Sequence, residues 1–130
     1  MNVIHLSTHD LEGGAARAAY RLHRGLLRTD INSQMVVQGS ESTLASIYAP
    51  QSPAQRGWAK LRPHLENLPL KFYRNRRDLP FSIQWLPDRL NTAVHSLEPD
   101  LIHLHWICKG FLQIETIASF DCPIIWTLHD

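Results

Sequence analysis

Cysteine is scarce in this chain. Cys108 and Cys122, 14 positions apart, are the only two. Their spacing is neither a CxxC pair nor a disulfide framework, so a reducing compartment is the simpler reading. Long apolar runs are missing too, and nothing approaches the ~18 consecutive apolar residues of a transmembrane helix. Met1–Leu6 lacks the positive start and apolar stretch of a signal peptide. These absences predict a soluble, cytoplasmic protein, with peripheral contact at the inner face of the cytoplasmic membrane left open. No excess of one charge exists either: 13 Lys+Arg face 12 Asp+Glu, and a net charge of +1 argues against a nucleic-acid partner. With 44% hydrophobic residues, the same balance excludes a disordered polypeptide. GxGxxG, GK[ST] and HExxH motifs are all absent.

The 130 residues that are present suit about one domain. Val3–Thr8 reads as a buried strand, Asp10–Gly14 as a loop, and Ala15–Thr29 as the clearest helix. Ala15, Ala19, Leu22 and Leu26 form its apolar stripe. Arg17, Arg21, Arg24 and Arg28 line a basic face about 200° round the helix. Gln34–Gln38 is a second strand, which completes a βαβ unit and implies a parallel sheet. Regular alternation returns with a helix over Pro87–Leu97 and a strand over Leu101–Trp106. A short helix over Gln113–Ser119, with Ile114, Ile117 and Ala118 on the sheet, precedes a strand over Ile124–Leu128. Four strands with intervening helices predict an α/β fold with a Rossmann-like open parallel sheet.

The stretch 40–86 interrupts this rhythm. Seven basic residues against three acidic ones give it +4 in a chain of +1. Its helical spacing at Ala54, Trp58, Leu61 and Leu65 is crossed by Pro63, which predicts two short helices. Arg74, Arg76 and Arg77 interleave with Phe72, Tyr73, Phe81 and Trp85. That mixture suits an anionic lipid surface, a phosphorylated acceptor or nucleic acid, while a solvated, partly packed lid is the plainer reading.

Ligands of open α/β sheets sit beyond the carboxyl ends of the strands. His9, Asp10, Gly39, His105, Trp106, His129 and Asp130 are the residues there. Gly13-Gly14 precedes the Arg17-bearing helix, where free N–H groups and the helix dipole favour a phosphate; a plain turn needing a positive φ explains the glycines equally well. His103 and His105 share a strand face and suit a metal chelate, but no third ligand stands at diagnostic spacing, so a buried core histidine is the simpler reading. His129, beside Asp130, suits proton exchange with a bound hydroxyl near neutral pH. A polar strand exit without chemistry is the plainer reading of that pair.

Three segments together carry a resemblance. They are Asn2–Thr8 followed by Gly13–Leu22, then Pro99-Asp100-Leu101-Ile102-His103-Leu104-His105-Trp106, and Pro123-Ile124-Ile125-Trp126-Thr127-Leu128-His129-Asp130. In combination they resemble the N-terminal lobe of family 4 glycosyltransferases of the GT-B fold; 40–86 aligns with nothing in that pattern. The resemblance implies a retaining, hexosyltransferase-type enzyme that moves a sugar from a nucleotide-sugar donor to a glycan or lipid-linked acceptor, as in polysaccharide biosynthesis. It implies Gly13 and Gly14 as the loop that approaches the donor phosphates, Arg17, His105 and Trp106 as further substrate-binding residues, and His129 near the transferred sugar with Asp130 beside it as the catalytic pair. It implies no cofactor and no metal, which counts further against a chelate at His103 and His105.

The family's C-terminal lobe carries an E-x7-E motif, and these 130 residues contain none. The expectation is one partial, apparently truncated acceptor-side domain over 1–130 with a basic Pro-rich insert at about 40–86. Alone it is expected to be inactive, because half a cleft cannot exclude water or position two substrates. A missing C-terminal lobe or self-association would then cover its apolar faces. Two other readings compete: a non-catalytic α/β anion- or carbohydrate-binding module, and a metal-dependent hydrolase built on His103 and His105.

Overall fold

The computed structural model describes residues 1–73 and 82–129. It holds a five-stranded, all-parallel sheet: β1 (Asn2–His9), β2 (Asn32–Gly39), β3 (Ile47–Tyr48), β4 (Leu101–Leu104) and β5 (Ile124–Trp126). Their order is β3-β2-β1-β4-β5. The chain winds outward from β1 to one side and then to the other, the doubly wound, Rossmann-like arrangement that the alternation predicts. One strand more is present than the sequence pattern suggests. β3 is two residues long, too short for any periodicity, and is held by register with Met35 and Val36 of β2.

Helix α1 (Gly14–Leu26) covers one face, where Ala19 packs with Met35, Val37 and Ile47. Its buried stripe is Ala16, Ala19 and His23, rotated from the expected one, and Leu22 faces water. The rotation follows from His23, whose Nδ1 lies 2.8 Å from Ser33 Oγ and whose Nε2 lies 2.9 Å from Ser46 Oγ. A polar residue with both nitrogens partnered packs as core. On the other face, Ile4, Leu6, Ile102 and Leu104 meet Val94, Ile107, Phe111 and Leu112.

Helix α2 (Pro53–Glu66) is a single helix and runs through Pro63, contrary to the expected pair. Its start is fixed by Pro53 and a capping box: Gln55 N donates to Ser52 Oγ, and Ser52 N donates to Gln55 Oε1. Pro63 falls in the last turn, where a lost backbone bond matters least, and the residues around it are anchored. Buried Arg62 donates to the carbonyls of Gly110, Leu86 and Pro87, while Glu66 Oε1 accepts from Ser82 Oγ and Gln84 N. Arg62 is therefore not one of the free cations of the basic insert. A 3₁₀ turn, Pro69–Phe72, follows. Arg74, Arg76, Arg77 and Phe81 lie outside the described residues.

Helix α3 spans only Leu90–His95, starting later than Pro87 because Asp88 takes the N–H groups of Leu90 and Gln113. Helix α4 is Ile114–Ala118. Ile117 packs on the core, whereas Ile114 and Ala118 are exposed, because five residues present only one apolar position inward. No helix among the described residues is long and apolar enough to cross a membrane.

Candidate functional site

The sheet order reverses between β1 and β4, and the carboxyl ends of these strands make the crevice where such folds take ligands. From β1 come His9, Asp10 and the glycine loop. From β4 come His105 and Trp106, with His129 from the exit of β5.

His105 is buried, and both its nitrogens face other imidazoles. Nε2 lies 3.1 Å from His5 Nδ1, and Nδ1 lies 3.4 Å from His129 Nε2. The rings of His103 and His105 stack at 4.1 Å, and His103 Nε2 lies 2.8 Å from Thr127 Oγ1. His5, His103 and His105 thus share one sheet face, as parallel register requires: His5 pairs with His103, and His105 stands two residues on. Burial, then the neighbouring imidazoles, push His5 and His105 down to about 3. Burial, then His129, lowers His103 as well. The cluster is neutral at pH 7, so each imidazole has one donor and one acceptor nitrogen.

His5 is the group that sequence reasoning missed. Its signal was present, a histidine at the same face parity as His103, but the adjacency of β1 and β4 was needed to read it. The third imidazole that the chelate reading lacked is therefore in place.

The glycine loop sits at the neighbouring exit. Gly13 is the N-cap of α1 with φ +89°, a left-handed conformation that explains this glycine sterically. Gly14 has no such constraint: a Cβ there would meet nothing within 4 Å. Among the described residues no side chain caps α1, which leaves its first N–H groups without a side-chain partner there. Arg17 is exposed, its Nε donating to Leu11 O at 3.3 Å. Glu12 joins the two exits, with His9 Nδ1 at 3.4 Å and Lys109 Nζ at 3.8 Å. Trp106, two residues beyond β4, is exposed. His105 and His129 are thus brought into contact, and Gly13, Gly14 and Arg17 occupy the adjoining strand exit. Asp130 lies outside the described residues.

Asp10 has a structural task that the sequence did not show. Its carboxylate accepts from Ser40 Oγ, Glu41 N and Ser42 N, and so fixes the loop after β2. Burial alone would raise its pKa, but these hydrogen bonds prevail and lower it. The fixed loop forms one wall of an open groove of about 1180 Å³, whose other wall includes Arg56, Lys60 and His64 of α2. Gly39 closes the inner end, where a Cβ would stand 2.7 Å from His9 Nδ1.

A family model described as Glycosyltransferase Family 4 matches residues 12–130. No curated protein and no solved structure matches. The match takes in the glycine loop, β4 with its histidines and the strand leading to His129, nearly the whole chain, and the chain belongs to Glycosyltransferase Family 4.

Proposed function

We propose that this chain is the acceptor-side domain of a retaining sugar transferase of GT-B architecture, acting between a nucleotide-sugar donor and a glycan or lipid-linked acceptor. The observation that carries the reading is the crevice between β1 and β4, where an uncapped helix N-terminus adjoins the His105–His129 pair. Free N–H groups of α1, with Gly13 and Gly14 offering no side chain and Arg17 one turn on, suit the donor phosphates. His129 turns Nε2 to His105, which leaves Nδ1 for a sugar hydroxyl. Asp130 is its charge-stabilising neighbour in this reading, and Trp106 is a stacking surface for a sugar ring. The transfer step is assigned no metal and no cofactor.

The acceptor occupies the groove walled by the Asp10-fixed loop and α2. Peripheral membrane contact at the inner face of the cytoplasmic membrane, by the exposed aromatic residues after that groove, would present a lipid-linked acceptor to it. Polysaccharide biosynthesis is the setting that suits such an acceptor.

These 130 residues alone are inactive in this reading, since a donor-binding lobe is needed to close the cleft. The test is titration of the purified chain with nucleotide sugars, followed by tryptophan fluorescence, together with a radiolabelled transfer assay. Saturable millimolar binding, displaced by a nucleoside diphosphate and without multiple turnovers, is expected. Multiple turnovers would overturn the half-cleft reading, and absence of any nucleotide effect would overturn the donor assignment. A second reading, a carbohydrate-binding module without catalysis, draws on the groove itself. Glycan binding with no nucleotide effect would favour it.

A further inference from the structure

Three imidazoles from two neighbouring strands meet beneath the crevice, and the transfer reading uses only one of them, His105, as the partner of His129. One nitrogen each from His5, His103 and His105 falls in a set whose members all lie within 4.8 Å of one another. The shortest hydrogen-bonded pair of the trio, His5 Nδ1 and His105 Nε2, is 3.1 Å apart. Nitrogens bound at ~2.0–2.1 Å to a tetrahedral zinc ion stand ~3.3–3.4 Å from each other. The trio is within small side-chain rotations of that spacing, and it is mounted on paired strands rather than loops.

A further observation bears on how such a ligand set would be oriented. His5 is fully buried and turns Nδ1 to His105, while its Nε2, the other ring nitrogen, has no hydrogen-bond partner among the described residues. The outer nitrogens of the other two are held. His105 Nδ1 meets His129 Nε2, and His103 Nε2 meets Thr127 Oγ1, the kind of outer contact that orients a ligating imidazole.

We propose that His5, His103 and His105 hold one divalent ion of the zinc class, with its fourth position open to water. Three imidazoles without a carboxylate suit zinc, cobalt, nickel or copper rather than magnesium or calcium. The ion ties β1 to β4 and strengthens the His105 Nδ1–H donor that meets His129. The proposal does not depend on the transfer reading.

The test uses the untagged chain, stripped with a chelator and titrated with Co²⁺ alone. About one Co²⁺ per chain is expected, with the intense visible absorption of a low-coordinate nitrogen site, displaced by Zn²⁺. His103→Gln, at the half-buried member, should lose the band and weaken binding by at least ~10-fold, and His5→Gln should do the same. The exposed control His95→Gln should leave both unchanged. If His5→Gln fails to fold by circular dichroism, a folded His103→Gln still decides the matter. No band in the parent chain, or a band that survives His103→Gln, would overturn the site and leave a packed histidine cluster.

Discussion

Asp10 is a carboxylate with three donors and almost no water around it. An unfolded aspartate titrates near ~3.9, and this one titrates lower when folded. Its contribution to stability is therefore complete above about pH 4 and fades as pH falls through the folded value. Asp10→Asn keeps the shape and loses the charge. We expect it to lose about 1–2 kcal/mol in urea unfolding at pH 7, with the gap closing toward pH 3. The paired glycines separate in a similar way. Gly13→Ala forces a positive φ on a side chain and should cost about 1–2 kcal/mol. Gly14→Ala, in open space on a helix, should be neutral or stabilising by up to ~1 kcal/mol. If donor phosphates approach α1, Gly14→Ala nevertheless weakens nucleotide-sugar binding. Unfolding and fluorescence titrations on the same sample would show the two effects moving apart.

Among the elements, α2 presents two chemically different faces. Its inner face hangs on Arg62, whose guanidinium holds three carbonyls. Arg62→Met removes the charge and leaves those carbonyls without it, so a loss of about 3–5 kcal/mol is expected in chemical unfolding. Its outer face exposes Trp58 and Leu61, continued by Leu68, Phe72 and Tyr73, beside Arg56, Lys60 and Lys71. Exposed aromatics next to cations suit a lipid interface. Co-sedimentation with vesicles rich in anionic lipid should exceed that with neutral vesicles, and should fall in a Trp58→Ser, Phe72→Ser variant. What the sequence made legible follows from how each element is held. β1, α1 and β2 were readable because apolar positions recur over eight to thirteen residues. The stripe of α1 was misplaced because His23 is polar by type and core by its two serine partners, one of them in the irregular insert. β3 was invisible because tertiary pairing, not pattern, makes it a strand. The i, i+2 spacing announced His103 and His105, while the contact of His105 with His5 and His129 depends on which strands become neighbours.

At the scale of the whole molecule, the sheet is unevenly covered. β1 is buried nearly throughout, whereas Ile124, Ile125 and Trp126 of β5 are all exposed. Apolar side chains on an uncovered edge strand favour pairing with another chain. Light scattering should show mass rising with protein concentration, and Ile125→Lys should suppress the rise. A concentration-independent monomer would mean that this edge is tolerated as it stands.

The central position of β1 also bears on how the fold is reached. On one side its partner is close in the chain, since Asn2 and Asn32 are 30 residues apart. On the other side His5 meets His105 across 100 residues. Closing the second loop costs more entropy and belongs to the slow class of contacts. The β1–α1–β2 unit is therefore free to assemble early with one edge of β1 bare, while the histidine cluster waits for β4. During synthesis on the ribosome, β1 keeps one edge unpaired until β4 has emerged, long after β2 is available to cover the other.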